Sequence, residues 1–115
     1  MQSTVNITLP DEYLAKLRPE ITFTELLQKI LMINREKIGF SIQDYHAREK
    51  VRVVDFIGVT ALDMDTYKAT VRYSLEHFNV CAAIDEMDNT SMELTIRYNG
   101  DLNVLRITGA YVPKA

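Results

Sequence analysis

Residues 3–9, STVNITL, alternate: Val5, Ile7 and Leu9 fall on one side, Thr4, Asn6 and Thr8 on the other. A period of two with β-branched residues predicts a half-buried strand. Pro10 has no N–H to give to a ladder and ends it. Thr8 stands three residues before Asp11, with Pro10 between them, which is a helix-start pattern. A short helix over about 10–18 is expected, with Leu14 and Leu17 facing in and Pro19 closing it.

The period then changes. In TFTELLQKILMINREKIG, residues Phe23, Leu26, Leu27, Ile30, Leu31 and Ile38 recur at helical spacing. Thr22 with Glu25, or Thr24 alone, suits the start. Lys29, Arg35 and Lys37 suit the negative end of the helix dipole, and Gly39 suits a left-handed cap. The pattern predicts one long helix over about 23–38. Met32 and Ile33 widen its apolar face, so cover from more than one side is expected.

Strand patterns fill the rest. Residues 51–62, VRVVDFIGVTAL, are apolar on both faces, as in a central strand. Residues 64–66 read as a turn. Residues 67–75 alternate, with Tyr67, Ala69, Val71, Tyr73 and Leu75 inward and Lys68, Thr70, Arg72 and Ser74 outward. Asn99-Gly100 between two alternating runs is a two-residue hairpin signal. That loop would set Leu94 opposite Leu105, Met92 opposite Ile107 and Glu93 opposite Arg106.

One stretch breaks the pattern: EHFNVCAAIDEMDN, residues 76–89. Odd positions are apolar up to Leu75, and even ones from Phe78 through Val80, Ala82 and Ile84. A change of phase predicts a β-bulge near Glu76-His77. The rival is a helical turn over 77–87, since Val80, Ile84 and Met87 share helical spacing.

The element order is strand, two helices, then antiparallel strands, an α+β arrangement. The N-terminal strand and two helices are expected to pack on a curved antiparallel sheet of four to five strands, in one domain spanning 1–115. By analogy of architecture this is cystatin-like or nuclear-transport-factor-like (NTF2-like).

Charge narrows the partners. The net charge is −3. Residues 1–38 hold five Lys/Arg and five Asp/Glu, and residues 39–115 hold eight and eleven, so the acid surplus lies in the sheet half. This argues against nucleic acid and for a basic partner. A single cysteine forms no intrachain disulfide. No leader-like start and no apolar run of about 20 residues is visible, which points to a cytoplasmic protein that does not span a membrane.

The candidate chemistry is thin. On a strand, His77 and Cys81 would lie ~13 Å apart, too far for a nucleophile and its base. Cys81 reads instead as a small buried hydrophobe. A calcium loop starting at Asp85 fails, because Met87, Thr90 and Ile96 occupy positions that need a ligand, a Gly and a Glu. Asp44, Tyr45 and His46 read as an exposed connector. Asp55 shares the phase of Val51, Val53, Ile57 and Val59, so it needs a partner such as Arg72 or Arg52, or a pocket on the concave face with Tyr73 and Tyr98. No catalytic, cofactor-binding or metal-binding residue is expected.

Residues 4–36, TVNITLPDEYLAKLRPEITFTELLQKILMINRE, resemble the ribbon-helix-helix DNA-binding module. They share its short alternating strand, a Pro-acidic start to a first helix and a Thr-x-x-Glu start to a second. The resemblance implies a dimer that lays the outward strand residues Thr4, Asn6 and Thr8 in the major groove.

Three functions follow. The first is a non-enzymatic interaction module, of adaptor, immunity or inhibitor type. It would be a homodimer that binds a basic protein through the sheet or through an acidic rim of Asp85, Glu86 and Asp88. The alternative is the DNA-binding regulator. The third is a small-molecule binder using the concave sheet face.

Overall fold

The structure is a computed structural model that describes residues 2–10, 22–46, 48–79 and 84–110, with backbone alone for 77–79 and 84–87. Strand β1 (Thr4–Thr8) is followed by helices α1 (Phe23–Ile33) and α2 (Arg35–Gln43). Strands β2 (Lys50–Ala61), β3 (Thr66–Asn79), β4 (Ile84–Asn99) and β5 (Val104–Thr108) complete the order. The five strands form one antiparallel sheet in the order β1-β5-β4-β3-β2. The fold is α+β, with two helices packed on a five-stranded antiparallel sheet. The helix expected at 10–18, with Leu14 and Leu17, lies outside the described residues, as do Val80–Ala83 and hence Cys81.

The long helix is broken in two. Thr22 caps α1 as expected, its Oγ1 accepting from the Glu25 N–H at 3.2 Å. Asn34 then leaves helical geometry at φ −99° and ψ 19°. Its side-chain Nδ2 donates to the Ile30 carbonyl at 2.8 Å. An Asn side chain that competes for backbone partners favours such a break. Gly39, expected as a terminal cap, sits instead inside α2, which runs on to Gln43. There it lets the helix approach β2, since a Cβ would lie 3.5 Å from Val53 Cγ2.

The core is one cluster. Leu26, Leu27, Ile30 and Leu31 of α1 and Ile38 and Ile42 of α2 meet Ile7, Phe56, Ala69, Val71, Tyr73, Leu94, Ile96, Leu105 and Ile107 of the sheet. The inward set on β3 matches the alternation of 67–75, apart from Ser74. Phe23 packs between Tyr67 and Tyr98, with ring centroids 5.1 and 5.2 Å apart. Helix α2 contacts β2 and also β1, the two edge strands. The sheet therefore curls around the helices, with a filled concave face and, among the described residues, an open convex face.

Several expectations need correction. Residues 51–62 form an edge strand and not a central one; the outward apolar residues Val54 and Ile57 are exposed. The bulge lies in β2, where the ladder slips between Val53 and Asp55 and again between Ile57 and Thr60. Gly58, at φ 65°, supplies backbone in the second slip that a side chain would strain. Across Glu76 and His77 the β3–β4 register is unbroken, down to Asn79 opposite Ile84. This overturns both the bulge near 76–77 and the helical turn over 77–87. Among the described side chains of β3 and β4, the core extends as far as Leu75 and Met92.

The last hairpin also differs. Ile96 faces Ile107, Arg97 faces Arg106 and Tyr98 faces Leu105, a slip of four residues from the expected pairing. The loop is residues 100–103. Asn99 Oδ1 accepts from the N–H groups of Asp101 and Leu102 at 3.0 and 3.2 Å. Tyr98 OH donates to Asn103 Oδ1 at 3.0 Å, and Asn103 takes the left-handed φ of 51°. These side-chain bonds make Asn99 a turn nucleator before the Asn-Gly pair can form a two-residue turn.

Candidate functional site

Among the described residues no element covers the convex face of the sheet. Its side chains come from alternate positions of five strands. They are Thr4, Asn6 and Thr8 from β1, Arg106 from β5, Glu93, Thr95 and Arg97 from β4, Lys68, Thr70 and Arg72 from β3, and Lys50 and Arg52 from β2. The Val53/Asp55 bulge adds Asp55 to this set. Without it Asp55 would share the inward phase of Val53; with it Asp55 lies opposite Arg72. Arg72 Nε donates to Asp55 Oδ1 at 2.6 Å, and Arg72 Nη2 binds Oδ2. This forked hydrogen bond holds the Asp55 carboxyl below the usual carboxylate range and raises the Arg72 guanidinium.

On the β2–β3–β4 part of the face Arg52, Lys68 and Arg72 are neutralised in pairs. Besides Arg72 and Asp55, Arg52 meets Glu76 at 3.1 Å and Lys68 meets Glu93 at 3.6 Å. Ser74, opposite Arg52, is buried on this face, and its Oγ has no hydrogen-bond partner among the described residues. The β4–β5–β1 part is different. Arg97 lies directly opposite Arg106, which lies opposite Asn6. Among the described residues neither arginine has an ion-pair partner. Like charges directly opposite destabilise a sheet, which makes this the part of the face most improved by an anion.

The remaining sequence candidates are placed as follows. Tyr73 is on the concave side, its OH 3.0 Å from His46 Nε2, and burial pushes its phenol up. Tyr98 stacks on Phe23. The structure therefore does not bring Asp55, Tyr73 and Tyr98 into one pocket. Asp85, Glu86 and Asp88 lie on β4, within a strand and not a turn, and Asp88 is exposed. Asp44, Tyr45 and His46 are no loose connector. Tyr45 OH accepts from the Ser3 N–H at 2.9 Å and donates to the Ala110 carbonyl at 2.8 Å, tying α2 to both chain-end strands. Among the described residues no group of three or more His, Cys, Asp or Glu is placed to hold a metal ion, and no helix is long and apolar enough to cross a membrane.

Two glutamines that sequence reading passed over guard the β2 edge. Gln43 Oε1 accepts from the Val51 N–H at 3.0 Å, while its Nε2 donates to the His46 and Glu49 carbonyls at 2.7 and 2.6 Å. Gln28 Nε2 donates to the Phe56 carbonyl at 3.1 Å. Side chains from both helices thus reach round to backbone groups that an edge strand would leave bare. Sequence offered no signal for this, because it depends on where the helices lie. No family model, curated protein or solved structure matches the chain.

Proposed function

We propose that this chain is a non-enzymatic interaction module that binds a protein partner through the open convex face of its sheet. One observation carries the reading. Among the described side chains the face presents six Lys/Arg (Lys50, Arg52, Lys68, Arg72, Arg97, Arg106) against three acids (Asp55, Glu76, Glu93), a surplus of three positive charges, and the β4 register continues the same row to Asp85. The whole chain has a net charge of −3. The partner suited to this face is acidic, opposite in sign to the one that the acidic rim suggests. A cytoplasmic adaptor with a cystatin-like or nuclear-transport-factor-like wrap of sheet on helix is consistent with this reading.

The test is a charge reversal, Arg97→Glu with Arg106→Glu. An acidic protein bound by the wild type, with salt-sensitive affinity, should be released by the double variant while its circular dichroism is unchanged. Equal binding by both forms would remove the face from consideration.

A second reading has its own support. Thr4, Asn6 and Thr8 are exposed, and Asn6 shares a row with Arg106 and Arg97. The strand that lacks cations thus borrows two from its neighbours, as a DNA reader requires. The hydrogen bonds of Ser3 and Leu9 to β5 turn the backbone groups of Thr4, Asn6 and Thr8 toward the outer edge, where a second copy could pair. Retardation of duplex DNA at low salt that is lost in Asn6→Ala/Thr8→Ala would favour this reading over the first. No retardation would end it.

A further inference from the structure

A groove borders the open face, between α2 and the outer edge of β2, and shares Lys50 and Arg52 with it. It has a volume of about 520 Å³ and is lined by Arg35, Glu36, Gly39, Phe40, Gln43 and residues 50–53. The floor is apolar: Gly39, with no side chain to fill it, Val51, Val53 and the Phe40 ring, which is 79% exposed. The rim is cationic, with Arg35, Lys50 and Arg52 against Glu36 and the Glu76 that Arg52 meets. Exposing most of a phenylalanine beside two valines leaves apolar surface that a matching side chain would remove from water.

The backbone at the lip limits what fits. The Val51 N–H points outward, where Gln43 Oε1 takes it. In an antiparallel strand the two backbone groups of one residue share a direction and alternate along the chain. The Val51 carbonyl and the Val53 N–H therefore also face the groove. That pair is what one residue of a parallel strand engages, by donating to the first and accepting from the second. Gln43 need not move. Antiparallel pairing of β2 with β2 of a second copy would need the Val51 N–H and would set Lys50 and Arg52 against their equivalents. A second copy is thereby disfavoured. The bulge after Val53 limits the footprint to a few residues.

We infer that this groove binds a short, extended, acidic peptide segment of a partner protein, laid parallel to β2, with one bulky apolar side chain on Gly39 and Phe40 and carboxylates on the cationic rim. It is a second site, independent of Arg97 and Arg106.

The probe is a fluorescein-labelled heptapeptide, Glu-Asp-Glu-Leu-Asp-Glu-Asp, followed by fluorescence anisotropy with the full chain. Saturable binding is expected. It should weaken at least about tenfold when the leucine is replaced by glycine, the loss of a buried apolar side chain. It should weaken comparably when the backbone amide that meets Val51 is N-methylated. Gly39→Leu, which fills the floor, should abolish it. Arg35→Glu, an exposed change that leaves the fold intact, should weaken it, and Arg97→Glu/Arg106→Glu should not. Absence of saturable binding overturns the inference. So does equal binding of a lysine-for-acid peptide, or insensitivity to both Gly39→Leu and Arg35→Glu. A loss confined to Arg97→Glu/Arg106→Glu overturns it too, by assigning the peptide to the open face.

Discussion

The two faces of one sheet are built from the same strands and do different things. The concave face is apolar, filled by α1 and α2, and closed to solvent at Leu27, Leu31, Ala69, Val71 and Ile96. The convex face is charged, has no covering element among the described residues, and carries ion pairs across strands. Burial of apolar area gives the first face its stabilising role. Exposed ion pairs contribute little, so the second is free to be shaped by binding. The lesson is a division of labour along a period of two: each strand gives alternate residues to the fold and to the surface.

Neighbouring residues on β2 test that division most severely. Phe56→Ala should cost about 3–5 kcal/mol, because it empties a fully buried site, whereas Ile57→Ala, one residue away on the convex face, should cost under about 1 kcal/mol. Urea denaturation of both variants checks this. Similar losses would mean that the convex side is buried in solution.

An intermediate effect is expected where one side chain bridges the two faces at their shared edge. Gln43→Ala strips the Val51 N–H and two carbonyls of their partner and should lower stability by about 1–3 kcal/mol. Amide exchange of Val51 should quicken more than that of core residues such as Val71.

The smallest effect separates the faces by pH. Asp55 on the convex face has a lowered folded-state value, so its contribution is complete above the ordinary carboxylate range. It fades as pH falls below about 4. Tyr67 and Tyr73 on the concave face have raised values, chiefly from burial. Their contribution is complete below about pH 10 and is lost as pH rises beyond it. Asp55→Asn should flatten the acid limb of the melting-temperature profile and leave the alkaline limb, and Tyr73→Phe should do the reverse.

Much of the concave face was legible in sequence. The β3 alternation and the α1 stripe of Leu26, Leu27, Ile30 and Leu31 were read correctly, because burial imposes a period. Errors gathered where side-chain hydrogen bonds or position in the sheet decide. Asn34 broke a helix whose apolar pattern ran straight through it. Asn99 and Asn103 moved the last hairpin four residues, turning an expected Glu93–Arg106 attraction into an Arg97–Arg106 opposition. Asp55 kept its expected partner Arg72 but changed face, because one extra residue in an edge strand is invisible to a phase argument. The convex site was legible only as residue types, since which cations adjoin follows from register.

The four-residue slip in the β4–β5 hairpin has a consequence for how this chain can vary. Four is even, so Leu94, Ile96, Leu105 and Ile107 stay on the concave side in the expected register and in the observed one. Slips of the pairing that follow a length change in the loop at 100–103 are therefore subject to parity. Deleting or inserting two residues re-pairs the hairpin with its faces intact. A single-residue change has to be absorbed in the loop itself, because a one-residue slip of the pairing would turn Leu105 and Ile107 outward and bring Arg106 into the core, and with β5 it would carry β1, the strand that β5 holds in the sheet.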